Sequence, residues 1–381
     1  MKLTVRQLEW GDLTPNMLLA WAELEARVLE PNAYLSPYFV APAQRYLPGH
    51  ADTILIWIER GESAGRELVG VGIFDPVQST QRFPLAHLRA FCSRHSYLSG
   101  LLVDATAAEE VIEAWLAHCS GKTFPWHGVD FKYWPADGKS DHLVRGLAAQ
   151  RGATWHEYDR LSRSVLYPQQ AGESYIESHV GSGRRKDLRR CMRRLTEIGP
   201  VTWTLQRGET FDEASVDRFL ELEQAGWKGE QRDALASDGR DEQFFREMVR
   251  GFAGAGRALF CELRVGERVV SSTSNFISGR AGFAFKIGWH RDFAKMSPGI
   301  LNEVELIRQA PSLLGQLDFV DSGAAQGSYL EELWGGRRPV SKAILATSSM
   351  GRATLGAIDI GRQLKRRLFG GTPSTKPVGA V

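Results

Sequence analysis

Between Trp289 and Ile300 the chain reads HRDFAKMSPG (His290–Gly299), a loop with the cations Arg291 and Lys295 that closes on Ser297-Pro298-Gly299. The residues that follow, ILNEVELIRQA (Ile300–Ala310), carry apolar side chains at helical spacing. A helix N-terminus presents free backbone N–H groups and the positive end of a dipole, so an anion fits there. Pro298 suits the first turn, because it has no N–H to leave unpaired. Ser297 is a capping residue type, and Gly299 permits close approach to the backbone. An ordinary capped helix after a strand would read the same way. A second basic feature is RRKDLRRCMRRL (Arg184–Leu195), in which seven of the eleven residues Arg184–Arg194 are Lys or Arg. Leu188, Cys191, Met192 and Leu195 fall at i, i+3, i+4 and i+7 and give this helix an apolar face. Arg185, Arg189 and Arg193 form one outward row, and Lys186, Arg190 and Arg194 the next. Such dense like charge repels itself. The segment is therefore either a solvated linker helix or a surface for an anionic partner: phosphate groups, a lipid-linked or polysaccharide acceptor, or a membrane surface. Nucleic acid fits least, since no aromatic residues interleave the arginines.

Other chemistries find no support. The nine histidines make no HxxH or HExxH spacing and the four cysteines no CxxC pair, so no metal site is expected. No GxxxxGK[ST] or GxGxxG occurs, which leaves the Ser-Pro-Gly loop as the phosphate-binding candidate.

The elements that must position the loop are legible on either side. Arg257–Val265, Arg268–Ile277 and Ala281–Trp289 read as strands joined by Gly266-Glu267 and by Ser278-Gly279-Arg280, both of hairpin length. Gln316–Val320 reads as a further buried strand. This half starts near Pro200 with the strand Val201–Gln206, then helices at Asp212–Ala225 and Asp241–Ala253, and it finishes with Tyr329–Trp334 and Val340–Thr347. The first half repeats the plan. Helices are expected at Met17–Glu30 and Leu35–Leu47, and strands at Ile54–Arg60, Glu67–Phe74 and Leu98–Asp104. A helix at Ala107–Cys119, a strand at Gly128–Trp134, a helix at His142–Gly152 and a strand at Arg163–Pro168 complete it. The turn before its Ala107–Cys119 helix, Asp104–Ala107, is acidic and lacks glycine, so the first half is expected to hold no cofactor and to shape the substrate cleft instead.

The order meander, anion loop, helix, strand resembles the core of the GNAT acyltransferases, whose loop pattern is Gln/Arg-x-x-Gly-x-Gly/Ala. With Gly299 in the last place, Ser297 stands where that family has its central glycine and Ala294 where it has its leading basic residue. Phe293 followed by Ser297-Pro298-Gly299, together with the basic run Arg184–Leu195, is similar to a BioF2-like or CelD-like subgroup. The resemblance runs from about Leu24 to Ile344. It implies an α/β fold of two tandem GNAT-like modules, each a mixed, mainly antiparallel sheet flanked by helices. The divisions are residues 1–170, a basic linker helix 171–199, residues 200–350 with the acyl-CoA site, and 351–381 as a helix and tail, its last fourteen residues disordered.

The resemblance further implies an N-acyltransferase that moves an acyl group, acetyl or another, from acyl-CoA to a small-molecule or glycan amine, with a place in envelope or polysaccharide synthesis. Ile287, Gly288, Trp289, Arg291, Lys295, Met296, Ser297, Pro298 and Gly299 would hold the donor. The backbone Lys286–Trp289 would meet the thioester carbonyl, and Gly288 would allow close approach or mark a β-bulge. Tyr329 falls where this family places the phenol that protonates the departing thiolate. Asp321, just past the Gln316–Val320 strand, is the candidate base, with Asp318 the alternative; either can instead cap a turn. Trp227 and Lys228, near Glu223 at a helix end, fall where the family covers its acceptors. The same tandem layout is known in FemABX-type enzymes, so aminoacyl transfer from charged tRNA is the alternative, and a non-catalytic subunit of a polysaccharide system a third.

The whole chain fits these readings. Its 381 residues suit two domains, and its net charge of +2 provides no global field for nucleic acid. No apolar run reaches membrane-spanning length. The segment MKLTVRQLEWGDLTP lacks the apolar core of a signal peptide, so cytoplasmic residence is expected. Cys92, Cys119, Cys191 and Cys261 read as reduced, mostly buried thiols.

Overall fold

The computed structural model describes residues 2–62, 65–226 and 234–369, with side chains to residue 362. Thirteen strands among them join into one mixed sheet rather than two. The first half contributes β1 (Leu3–Glu9), β2 (Ile54–Arg60), β3 (Glu67–Val77), β4 (His87–Ala90), β5 (Leu101–Val103), β6 (Gly128–Pro135) and β7 (Thr154–Leu166). The second contributes β8 (Val201–Gln206), β9 (Ala258–Val265), β10 (Arg268–Ser278), β11 (Ala281–Trp289), β12 (Phe319–Asp321) and β13 (Gly336–Ala346).

The order across the sheet is β1-β2-β3-β4-β6-β13-β7-β12-β11-β10-β9-β8, with β5 on β3. Each half makes an antiparallel meander (β1–β4, β8–β11), and the meander's last strand then pairs in parallel with β6 or β12. A parallel neighbour needs a crossover, and helices α3 (Ala108–Cys119) and α9 (Pro298–Leu313) lie in the two crossovers. The final strands are exchanged. β7 of the first half pairs with β12 of the second, and β13 of the second pairs with β6 of the first. β7 and β13 pair with each other and close the sheet at its centre.

Helices α1 (Pro15–Glu25), α2 (Pro37–Tyr46), α7 (Ala214–Ala225) and α8 (Gly239–Gly254) share one apolar core that spans both halves, with Trp21, Phe39, Phe219 and Phe244 among its members. Helices α3 and α4 (Lys139–Gln150) cover a second core, and α5 (Glu173–His179), α6 (Ser182–Thr196) and α9 a third. Helix α10 (Ser349–Phe369) follows β13.

Most expected elements are present, with shifts of physical origin. The turns at Gly266 and Gly279 take φ of +56° and +51°, as their hairpins require, and Gly152 after α4 takes +69°. Strands β1 and β4 were not expected, β5 is three residues long instead of seven, and β7 begins at Thr154 rather than Arg163. The segment Gln316–Val320 enters the sheet only from Phe319, so Asp321 lies within the strand and not beyond it. Cys119, Cys191 and Cys261 are buried and all four cysteines are free. Of the expected disordered tail, residues 370–381 lie outside the described residues.

Candidate active site

Strands β11 and β12 pair only from Ala281 to Phe283. Beyond Phe283, β11 runs on to Trp289 with β10 alone as its partner among the described strands. β12 ends at Asp321, so the stretch Ala284–Trp289 of β11 has no strand of the described residues beside it on that edge. A bulge assists. The β10–β11 register passes from Asn275↔Ala284 to Ser274↔Lys286 and skips Phe285, which bends the strand. The extra residue drops its ring into the aromatic core, 6.0 Å from Phe245 and stacked on it. Gly288 is not that bulge. A Cβ there would lie 2.7 Å from the backbone nitrogen of Glu223, so the glycine lets the C-terminal end of α7 rest on β11.

Helix α9 starts on the opposite face of β11. A 3₁₀ turn, Arg291–Met296, leads into Ser297, which takes left-handed φ, ψ of 47°, 53° and donates its N–H to the Ala294 carbonyl at 3.0 Å. This conformation turns the Ser297 side chain away from capping duty. The expected cap is not made, and the first turn of α9 has no side-chain cap, with Pro298 at its start. Gly299 packs inward: a Cβ there would sit 3.0 Å from Ile287 Cδ1 and 3.3 Å from Trp289 Cδ1. So Ile287, Trp289 and Gly299 come together, Met296 packs into the third core, and the N-terminus of α9 stands beside the Ile287–Trp289 end of β11. Lys295 is exposed and has no ion-pair partner among the described residues. Arg291 turns toward α7, its Nε donating to the Ala225 carbonyl at 3.2 Å, rather than across the α9 N-terminus. Helix α6 packs on this same turn through its apolar face, the Cys191 thiol 3.9 Å from the Lys295 carbonyl.

Tyr329 opens a 3₁₀ turn, Tyr329–Glu332, capped by Ser328, where a longer helix was expected. The residue is 38% exposed, but its hydroxyl lies inside. Burial, and next the neighbouring Glu303, push its phenol well above the ordinary value. Glu303 was not foreseen. It sits on α9, is 4% exposed, and its Oε2 has no hydrogen-bond partner. Burial pushes its carboxyl up to about 8. The sequence held a signal: Glu303 follows Gly299 by four residues and precedes Ile307 by four, so it falls on the inward stripe of the helix.

Asp321 does not stand at the cleft as a free base. It is 1% exposed and shared between Arg338 (3.2 Å) and Arg163 (3.5 Å), and it also accepts the Gly323 N–H at 2.9 Å. Asp318 pairs on the surface with Arg280 at 2.7 Å. Glu223 accepts the Leu235 N–H at 3.0 Å and lies 3.9 Å from Lys286 Nζ. Trp227 and Lys228 lie outside the described residues. The first half reaches Ala284 instead. The Tyr34 hydroxyl donates to the Ala284 carbonyl at 3.3 Å, and the Tyr97 ring stands 5.5 Å from Tyr34 and 6.1 Å from Phe285. Neither tyrosine is marked by local spacing, because both contacts cross some 200 residues of chain.

In the first half the turn before α3 is filled by its own carboxylate. Asp104 pairs with Arg27 at 2.6 Å and accepts from the Thr106 N–H at 2.8 Å and hydroxyl at 2.7 Å.

Residues 182–329, from the start of α6 to Tyr329, match the family model described as an acetyltransferase (GNAT) domain. That segment is therefore similar to a GNAT domain. Strands β11 and β12, the bulge and the uncapped α9 all lie inside the matched segment. Among solved structures the chain is similar to FemX, at 11% identity over 89% of this chain and 96% of that one, with a TM-score of 0.56. It is also similar to a conserved protein of unknown function from Bacteroides thetaiotaomicron VPI-5482 (10% identity, 88% of this chain and 98% of that one, TM-score 0.53). A third is the C-terminal domain of a protein named as a lysylphosphatidylglycerol synthetase from Agrobacterium fabrum (9% identity, 90% and 95%, TM-score 0.50). At these identities the likeness is one of fold, and it extends over both halves of the chain. No curated protein sequence matches the chain.

Proposed function

We propose that the chain is an N-acyltransferase that takes its acyl group from acyl-CoA in the second half and passes it to an amine held between the halves. One observation carries this reading: β11 runs on past its last pair with β12, at Phe283, to where the uncapped N-terminus of α9 meets Ile287 and Trp289. Free N–H groups, the helix dipole and Lys295 suit the pyrophosphate of the donor, and the part of β11 beyond its last pair with β12 suits its extended arm. The proposed donor residues are Ile287, Gly288, Trp289, Lys295, Met296, Ser297, Pro298 and Gly299. Arg291 acts at one remove by tying α7 to the loop.

The chemistry asks little of the side chains. The amine nitrogen forms a bond to the thioester carbon, and the carbon–sulfur bond breaks. Tyr329 gives its phenolic proton to the sulfur and regains one from solvent. With Asp321 held by two arginines, the acceptor enters as the free amine and its proton leaves to water, so catalysis is mainly positioning. Tyr34 and Tyr97 of the first half form the acceptor wall, while Asp104 fills the turn where a second donor would sit.

One other reading is aminoacyl transfer from charged tRNA, as in the FemABX-type enzymes that share the tandem layout. Thermal unfolding of the chain with CoA, with charged tRNA and with neither separates the two. CoA should stabilise it, and stabilisation by charged tRNA alone would reject the acyl-CoA reading.

A further inference from the structure

Arg163 lies on β7, at the centre of the sheet where the halves meet, and is 4% exposed. It stands directly across from Arg338 on β13. Two facing buried guanidinium groups repel unless anions lie between them. Arg338 is well supplied: its Nη1 is 3.2 Å from Asp321 Oδ2 and its Nη2 2.8 Å from Glu30 Oε1. Arg163 is not. Its one side-chain hydrogen bond among the described residues runs from Nη1 to the shared Asp321, at 3.5 Å. A guanidinium has five N–H donors, and the rest here meet no acceptor among the described residues. Buried donors are rarely left so, and those that are call for a reason. The unpaired nitrogens are not sealed in, because none of them is among the interior polar atoms cut off from solvent.

The surroundings point the same way. The Tyr133 ring lies 5.7 Å from the Arg163 guanidinium and 5.8 Å from the Lys342 ammonium, so two cations converge on one aromatic ring. Tyr133 takes φ of +55°, a conformation that a bulky side chain holds only where its neighbours force it, and such strain gathers at binding sites. Asp321, which Arg163 reaches, accepts the Gly323 N–H at 2.9 Å, and a Cβ on Gly323 would lie 2.9 Å from the Ala284 carbonyl and 3.3 Å from the Tyr34 hydroxyl, which donates to that carbonyl. The open guanidinium therefore borders the cleft on the side where an acceptor would lie.

We propose that Arg163 binds an anionic group of the acceptor, a carboxylate or a phosphate, so that the acceptor is an amine bearing negative charge. A planar fork of N–H donors matches either anion with two parallel bonds. The place of this group in a reaction rests on the acyl-transfer reading; the binding itself does not.

The test is thermal unfolding of the full chain in graded acetate, inorganic phosphate and chloride at matched ionic strength. Acetate or phosphate should stabilise saturably and chloride should not, and the one that acts names the group. Arg163→Lys keeps a charge beside Asp321 but loses the fork, and should weaken the effect at least about tenfold while unfolding in chloride stays near wild type. Lys295→Glu, at the donor loop, should leave it in place, which separates the two anion sites. The wild-type series decides even where the Arg163→Lys protein fails to fold. Equal stabilisation by chloride, or an unchanged effect in Arg163→Lys, overturns the proposal. Absence of CoA binding by the wild-type chain, with the anion effect intact, would instead overturn the donor assignment alone.

Discussion

Replacing Glu303 by Gln removes a proton equilibrium and little else, since the two side chains have nearly the same shape. In the folded protein burial holds the carboxyl protonated up to about pH 8, against 4.5 for an ordinary glutamate. Between these limits the unfolded chain gives up a proton that the folded chain keeps. Stability is therefore fully present below pH 4.5 and falls as pH rises, by about 1.4 kcal/mol per pH unit, until it levels off near pH 8. From 4.5 to 7 the loss reaches up to about 3 kcal/mol. The glutamine amide cannot ionise, so the Glu303→Gln protein escapes that loss. Urea unfolding at pH 5, 6, 7 and 8 measures it. The variant should match wild type near pH 5 and gain steadily to pH 8. A difference that stays constant with pH, or a variant that becomes relatively weaker as pH rises, would refute the reasoning and show Glu303 ionised in the fold, held by a positive partner.

Three further outcomes follow from named contacts. Tyr329→Phe keeps the ring and should lower kcat at least about tenfold with CoA affinity little changed, read by steady-state kinetics and titration; an unchanged kcat would leave the thiolate to solvent. Residues 200–350 expressed alone should not give a stable fold, because β7, which pairs with both β12 and β13, is missing and leaves open edges; a cooperative melt of that fragment would contradict the exchanged-strand account. Neutralising Arg185, Arg189 and Arg193 together should weaken heparin binding and flatten its salt dependence, with unfolding shifted by no more than about 1 kcal/mol; failure to fold would make the row structural.

The second half was legible because its signals are local. Alternating strands, glycine turns and a Ser-Pro-Gly helix start all lie within 63 consecutive residues, Arg257–Phe319, and their pairing is between neighbours. The centre of the sheet was not. Before the expected start at Arg163, β7 carries Glu157, Asp159 and Arg160, and these charges mask the strand until β13 is seen to pair along it. The exchange of final strands leaves no local trace, and it is this exchange that buries Asp321 against Arg163 and Arg338 and removes it as a base. β1 and β4 escaped for the opposite reason: one is a half-buried edge and the other only four residues long, so neither builds a clear period. Ser297 was read with the right residue type but the wrong cause, a left-handed turn in place of a cap; of the two readings of Gly288, the bulge is not made and a close approach is, to the end of α7.

The central claim is that one acyl-CoA binds per chain at the start of α9. Isothermal titration of CoA into the full chain and into Lys295→Glu, at low and physiological salt, tests it most directly. One site per chain is expected, weaker at higher salt and weaker again in the Lys295→Glu protein. No binding, two sites per chain, or an affinity that the charge reversal leaves unchanged would contradict it.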